Sequence, residues 1–439
     1  MDAMKDSGLK WIGAIPSDWK ITRIKYMSSL KGRIGWQGLT SEEYRDEGAY
    51  LITGVDFLDG GIDWENCVHV PMKRWEEARD IQIQNGDLLI TKDGTVGKVA
   101  IVSDMPGETS LNSGVLRIMP FEGYSRRFLY WVLQSDEFWN WFNYKNAGNS
   151  TIVHLYQGDF AEFYYTFPDY KEQERIADYL DKHCAKLDKS IANLERQIDL
   201  LQKYKKSLIT ETVTKGLDKN VEMKDSGIEW MPKIPVRWSV KRIKDVCTLQ
   251  TGTTPTKNIG IEYEKEEDDY WWYTPGDIVS EDYLLRSSER VIEERAVKEN
   301  GIKLYPIDTV LFVAIGATLG KTGKTQELSY SNQQVTALIP RAIDGNYLQY
   351  FMVAAGAYLK ETALYTTLPI INNQYLGVTK IVVPPIEEQK SIASMLINKI
   401  PKINSILVKK KKLLDIMKTE KAATIFEYVT GKKQVKEVV

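Results

Sequence analysis

The sequence predicts an α+β protein: two strand-rich α/β domains joined by two long antiparallel coiled-coil helices, a tandem repeat with pseudo-two-fold symmetry. Three observations carry that prediction. A tryptophan-rich opening segment occurs twice in the 439 residues. Each occurrence leads into short apolar runs bounded by Gly, Asp and Pro, the texture of strands and turns. Each then closes on a long apolar seam at alternating steps of four and three, the texture of a helical rod.

The repeat is read first because it decides the architecture. MKDSGLKWIGAIPSDWKITRIK (Met4–Lys25) and MKDSGIEWMPKIPVRWSVKRIK (Met223–Lys244) are identical at 12 of 22 positions, among them Trp11/Trp230, Pro16/Pro235, Trp19/Trp238 and Arg23/Arg242. Downstream, Gly97-Lys98 answers Gly320-Lys321, Asn112–Pro120 answers Asn332–Pro340, and EQERIADYL from Glu172 answers EQKSIASML from Glu388. The ends of the two copies are alike and the middles have diverged. A shared scaffold or shared partner, with two different ligands, fits that contrast.

Within the first copy, GDLLIT (Gly86–Thr91), VGKVAIV (Val96–Val102) and GVLRIM (Gly114–Met119) read as strands, with a turn at Lys92–Thr95. Arg126–Phe142 reads as a helix. From Lys171 the pattern becomes one rod, with Leu180, Cys184, Leu187, Ile191, Leu194, Ile198, Leu201 and Leu208 along its seam. Its second-copy partner carries Ala393, Leu396, Ile400, Ile403, Leu407, Leu414 and Met417. Pro401 lies inside that rod and predicts a kink or break near Lys399, because proline removes a helical hydrogen bond and its ring clashes with the preceding turn. A lone amphipathic rod leaves its seam in water, so the two are expected to pair. The expected boundaries are 1–168 and 217–384 for the globular domains, and 169–216 and 385–430 for the rods.

Composition excludes several classes. With 43% hydrophobic and 27% charged residues the chain has ample core-forming material. Three scattered cysteines and three scattered histidines give neither a disulfide framework nor a metal cluster, and no cofactor is expected. No segment reaches the roughly 18 consecutive apolar residues of a membrane span, and the N-terminus lacks the layout of a signal peptide, so the cytoplasm is the expected location. The net charge of −2 counts against uniform attraction to nucleic acid and leaves any such role to local patches.

Catalytic motifs fail on inspection. GATLGKTGKT (Gly316–Thr325) imitates a phosphate-binding loop, yet the position that requires the first glycine is Ile315 for one register and Thr318 for the other. Pro384-Pro385 lacks the flanking Asn or Asp and aromatic residue of a methyltransferase tetrapeptide, and Glu388-Gln-Lys390 reads as a helix start instead of a nuclease site. The chain is expected to be non-catalytic.

What remains is a set of loops combining glycine, amides and cations at matching places in both copies. They are Leu30–Thr40, Thr91–Lys98 and Leu111–Gly114 in the first, and Leu249–Asn258, Gly316–Lys324 and Ser331–Gln334 in the second. Lysine and arginine suit phosphates and guanine edges, and asparagine and glutamine suit adenine. The candidate DNA-binding residues are Lys31, Arg33, Gln37, Lys92, Thr95, Lys98 and Asn112, then Thr253, Thr254, Lys257, Thr318, Lys321, Lys324, Asn332, Gln333 and Gln334. Trp36, Trp64, Trp75, Trp271 and Trp272 are expected in the core before a groove, and Lys409–Lys412 on a solvated rod face.

The doubled WxxxIPxxW-x3-R (Trp11–Arg23, Trp230–Arg242), the segment GDLLITKDGTVGKVAIV, GATLGK followed by SNQQ, and a closing P-x3-EQ before a long helix (Pro168–Gln173 and, slightly shifted, Pro385–Gln389) together resemble the specificity subunit of type I restriction–modification systems. The resemblance covers nearly the full length. It implies two target recognition domains, each reading one half of a split sequence in double-stranded DNA, with the rods setting the unread spacer. It implies as partners two modification subunits, which carry the methyl-donor site, and restriction subunits, which carry translocation and cleavage. Two other readings stand beside it: a coiled-coil adaptor without DNA specificity, and a diverged methyltransferase or nuclease.

Overall fold

The computed structural model describes residues 3–33, 39–147, 154–254, 261–262, 265–278, 281–365 and 368–435. The chain divides into two compact units. The first comprises Met1–Asn193 with Leu413–Val439, and the second Leu194–Lys412. The long helices run Tyr170–Lys215 and Ile386–Val429, so each unit holds a segment of both.

In the first unit, a four-stranded antiparallel sheet takes the order Val99–Ile101, Leu88–Thr91, Val115–Pro120, Ser28–Gly32. A second sheet pairs Ala49–Ile52 in parallel with Thr109–Leu111 and antiparallel with Val68–Val70. The strands predicted at 86–91 and 96–102 are thus present with shorter bounds, and the one at 114–119 is present shifted by one residue. Four consecutive buried residues, Leu88–Thr91, mark the central strand as covered on both faces.

The second unit repeats this plan. Its larger sheet runs Cys247–Thr251, Val335–Pro340, Val310–Val313, Thr322–Thr325, Leu284–Leu285, and its second sheet pairs Tyr270–Tyr273 in parallel with Ser329–Ser331. The opening hairpins share one register, Met4 opposite Pro16 and Met223 opposite Pro235.

The helix predicted across Arg126–Phe142 is two helices, Arg126–Gln134 and Asp136–Lys145. Ser135 lies between them in an extended conformation, and its hydroxyl accepts from the Glu137 N–H. One residue therefore closes the first helix and caps the second. The corresponding helix of the second unit, Gly345–Glu361, is continuous.

The closing motif has a structural task. Gln173 and Gln389 are almost fully buried. Each donates its Nε2 to a proline carbonyl five residues earlier, Pro168 at 2.9 Å and Pro384 at 2.8 Å. Each accepts a backbone N–H at the cap of a globular-domain helix, from Ser125 at 2.9 Å and Asp344 at 2.8 Å. This corrects the second motif's register: Pro384, and not Pro385, is the counterpart of Pro168.

In the first unit the two helix segments run antiparallel. Tyr179 stacks near Tyr428 with centroids 4.4 Å apart, and Lys421 Nζ lies 2.6 Å from Asp188 Oδ1, so one number rises as the other falls. In the second unit Lys410 Nζ donates to Gln197 Oε1 at 2.5 Å, Glu388 lies beside Gly216, and Ile400, Ile403 and Leu407 share a core with Ile198 and Leu201. Of the kink or break expected near Lys399, the break is absent: the helix continues through Pro401. Its ring is exposed and so is Ile397, whose carbonyl loses the helical partner and can be solvated instead.

The last turn of a long helix is buried in each unit. In the first, Thr166 Oγ1 lies 2.5 Å from the Val429 carbonyl and 3.1 Å from Glu137 Oε2. The Thr166 hydroxyl can donate to either acceptor, and its backbone N–H donates to Glu137 Oε1 at 2.7 Å. Burial pushes the Glu137 carboxyl up to about 8, against the hydrogen bonds from Thr166 that pull it down. In the second unit the Tyr347 hydroxyl occupies the equivalent place, 3.1 Å from the carbonyls of both Val213 and Val382.

Two outcomes follow. Replacing Pro401 with Ala restores a helical N–H, and the unfolding midpoint of the second unit should rise by the equivalent of about 1–3 kcal/mol. Because the folded state raises the Glu137 pKa, its contribution is complete below the unfolded value and is lost as pH climbs through about 8. Melting curves should show the wild type losing stability between roughly pH 5 and 8. Glu137→Gln should be flatter over that range.

Candidate nucleic-acid interface

At one end of each pair of sheets, three loops are held together by the same hydrogen bonds. The first is the turn between the two strands that carry the glycine-lysine pair. In the first unit Gly97 N–H donates to Thr91 O at 2.9 Å, and Thr91 N–H to Lys98 O at 2.9 Å. In the second, Gly320 N–H donates to Val313 O at 3.0 Å, and Val313 N–H to Lys321 O at 2.9 Å. Both glycines have positive φ. A methyl group at Gly97 would lie 2.5 Å from the Trp139 ring, and one at Gly320 would lie 2.6 Å from the Gly356 carbonyl. Glycine is required here by close packing on a helix, which accounts for the phosphate-loop imitation without a nucleotide. Lys98 and Lys321 emerge exposed directly after it.

The second element is the asparagine turn. Asn112 Oδ1 accepts from Gly114 N–H at 2.8 Å, and Asn332 Oδ1 from Gln334 N–H at 3.0 Å. The backbone of each asparagine donates to the neighbouring strand, at Ile52 and at Tyr273, both at 3.0 Å. The third element went unnoticed in the sequence. Thr53-Gly-Val-Asp56 and Thr274-Pro-Gly-Asp277 fold alike, each aspartate Oδ2 accepting from the threonine N–H and hydroxyl at 2.7–2.9 Å. Burial raises the Asp56 carboxyl pKa while the Thr53 bonds lower it. Only Thr and Asp are shared between these tetrads, too little to register as a motif.

The exposed candidates are Thr95 and Lys98 in the first unit, and Thr253, Thr254, Lys321 and Gln333 in the second. Lys92, Asn112, Thr318 and Gln334 are half-buried beside them. Thr254 donates to Gln333 Oε1 at 2.6 Å, Thr253 contacts the Tyr330 hydroxyl at 3.2 Å, and Asn332 Nδ2 donates to Gln334 Oε1 at 3.1 Å. Thr274, Asp277, Arg290, Thr318 and Gln334 line a cleft of about 390 Å³ there.

Other candidates have structural positions. Arg33 is buried; its Nε donates to Leu111 O at 2.7 Å and Nη2 to Ser110 at 3.1 Å, and burial lowers it to about 10. Lys324 is buried and paired with Asp308, and the Asn332 side chain is buried in its own turn. Their expected DNA contact is corrected by that burial. Lys31 lies on a strand 3.8 Å from Asp80. Gln37, Lys257 and Trp36 lie outside the described residues. Trp64 and Trp75 donate to the carbonyls of Ser103 and Thr109, and Trp272 is buried. In the lysine run, Lys410 and Lys411 contact Gln197 and Glu281.

Sequence reading also missed Asp93 and His154, whose Oδ1 and Nδ1 lie 2.7 Å apart beside these loops. Among the described residues no three His, Cys, Asp or Glu side chains are grouped as metal ligands, and no helix is long and apolar enough to cross a membrane.

The family model described as type I restriction modification DNA specificity domain matches residues 16–199 and again 235–415. The type I restriction enzyme MjaIX specificity subunit of Methanocaldococcus jannaschii is 33% identical over 173 residues, which span 37% of this chain and 38% of that one. The putative type I restriction enzyme MjaX specificity subunit of the same organism is 23% identical over 97% of this chain and 96% of its own. A solved structure described as the structural basis of complex assembly and conformational transition of the type I R-M system has the same fold, with TM-score 0.68 and 17% identity. That match covers 95% of this chain and 99% of the other.

Proposed function

The chain belongs to the type I restriction–modification DNA specificity family, and from that premise we propose that it is a non-catalytic subunit reading a split site in double-stranded DNA. One observation carries the reading. The two units hold three loops by the same hydrogen bonds, while the exposed side chains on and beside those loops differ: Thr95 and Lys98 in one, Thr253, Thr254, Lys321 and Gln333 in the other. One scaffold with two faces suits two different half-sites.

The chemistry divides by residue type. Lys92, Lys98 and Lys321 are suited to phosphates, fixing register without choosing sequence. Asn112, Gln333 and Gln334 can offer donor and acceptor together, the pattern that pairs with adenine in the major groove. Thr95, Thr253, Thr254 and Thr318 can serve either. Local cations of this kind let a chain of net charge −2 bind DNA where a uniform field does not.

Chemistry on the DNA would come from partners. The duplicated opening hairpins and the two helix starts, held in place by the buried Gln173 and Gln389, supply two similar surfaces, which suits two copies of a modification subunit. Restriction subunits would join the same assembly. A coiled-coil adaptor without DNA specificity has no need of two matched loop sets.

The test exchanges residues 20–165 for the corresponding segment of another specificity subunit and maps methylation by the reconstituted complex. The reading predicts a new first half-site with the second half-site retained. Unchanged specificity would contradict it.

A further inference from the structure

Where the second unit places two isoleucines, the first places an acid and a histidine. The correspondence is fixed by backbone bonds. Lys92 N–H donates to Gly114 O at 2.8 Å, as Ala314 N–H does to Gln334 O at 2.8 Å. Leu155 N–H then donates to Lys92 O, and Ile371 N–H to Ala314 O, both at 2.9 Å. The neighbouring residues therefore match, Asp93 with Ile315 and His154 with Ile370. In the second unit Ile315 and Ile370 are joined by a backbone bridge. In the first, the side chains of Asp93 and His154 meet at 2.7 Å.

Stability does not explain the pair. Its side chains are 42% and 38% exposed, and ion pairs so open to water contribute about 0–1 kcal/mol. The isoleucines close the same turn without it. Phosphate binding does not explain it either, because a carboxylate repels phosphate, and Lys92 and Lys98 already stand in that loop.

Its hydrogen-bonding character is specific. Asp93 engages Nδ1 of His154, and its carboxylate oxygens only accept. Such a face complements the exocyclic amino group of cytosine or adenine. It opposes O6 and N7 of guanine and O4 of thymine. Tyr156, whose ring centroid is 5.8 Å from that of His154, adds an aromatic wall.

We propose that Asp93 and His154 form a specificity-determining pair that reads one exocyclic amino group in the half-site of the first unit, with no counterpart in the second. This rests on the reading that these loops face DNA. The second half-site is then an internal control.

The experiment uses the complex reconstituted with its modification subunit, and a library of split sites varied one base pair at a time. Asp93→Asn and His154→Asn should each lower discrimination at one base pair of one half-site, by roughly 10- to 100-fold. Discrimination across the other half-site, and the melting temperature, should stay as in the wild type. Unchanged discrimination in both variants, or equal losses across both half-sites, would overturn the pair while leaving the broader reading intact. Loss of the whole first half-site at unchanged melting temperature would overturn it too, since one pair reads one base pair. A wild-type complex with no sequence preference would instead overturn the underlying reading.

Discussion

The last turn of an α-helix has carbonyls without intrahelical partners, and in both units that turn is buried. Val429 and Val213 are each fully inaccessible, so their carbonyls need protein donors. The first unit supplies the Thr166 hydroxyl, which also contacts the buried Glu137, and the second supplies Tyr347. Two chemistries meet one constraint. A long helix cannot slide against its globular partner without stranding that carbonyl, which costs about 1–3 kcal/mol for each buried unpaired group. The helix start is held equally firmly by Gln173 or Gln389.

Anchoring at both ends fixes what the middle can vary. Once the opening hairpin, the helix start and the helix end are set, the loops at the far ends of the sheets need only their own backbone bonds. Those bonds recur between the units, through Gly97 and Gly320, Asn112 and Asn332, Asp56 and Asp277. Side chains that no backbone bond uses are then free to diverge, as Asp93 and Ile315 have. Recognition can change at such positions without cost to the scaffold.

Much of this was legible in the sequence. The duplicated tryptophan–proline opening and the heptad seams are long, periodic signals, and they give the repeat and the rods directly. Finer features were hidden for identifiable reasons. Ser135 divides a helix because its hydroxyl serves as a cap, yet serine inside an apolar-periodic run looks like a tolerated interior residue. Spacing predicts a kink or break at Pro401, but the helix continues with that residue exposed, a fact of packing that spacing cannot supply. Arg33 and Lys324 were counted as cations for DNA because residue type does not report burial. The Thr–Asp turns escaped notice because a tetrad with two shared residues carries too little information until its hydrogen bonds are seen.

The central claim is that one scaffold presents two different DNA-reading faces. Mapping of methylated bases across the genome of cells that carry this chain with its modification subunit tests it most directly. The account predicts a single split motif, two short defined halves of different sequence separated by a fixed undefined gap, that disappears when the chain is deleted. A continuous motif, two identical halves, or a pattern that survives the deletion would contradict it.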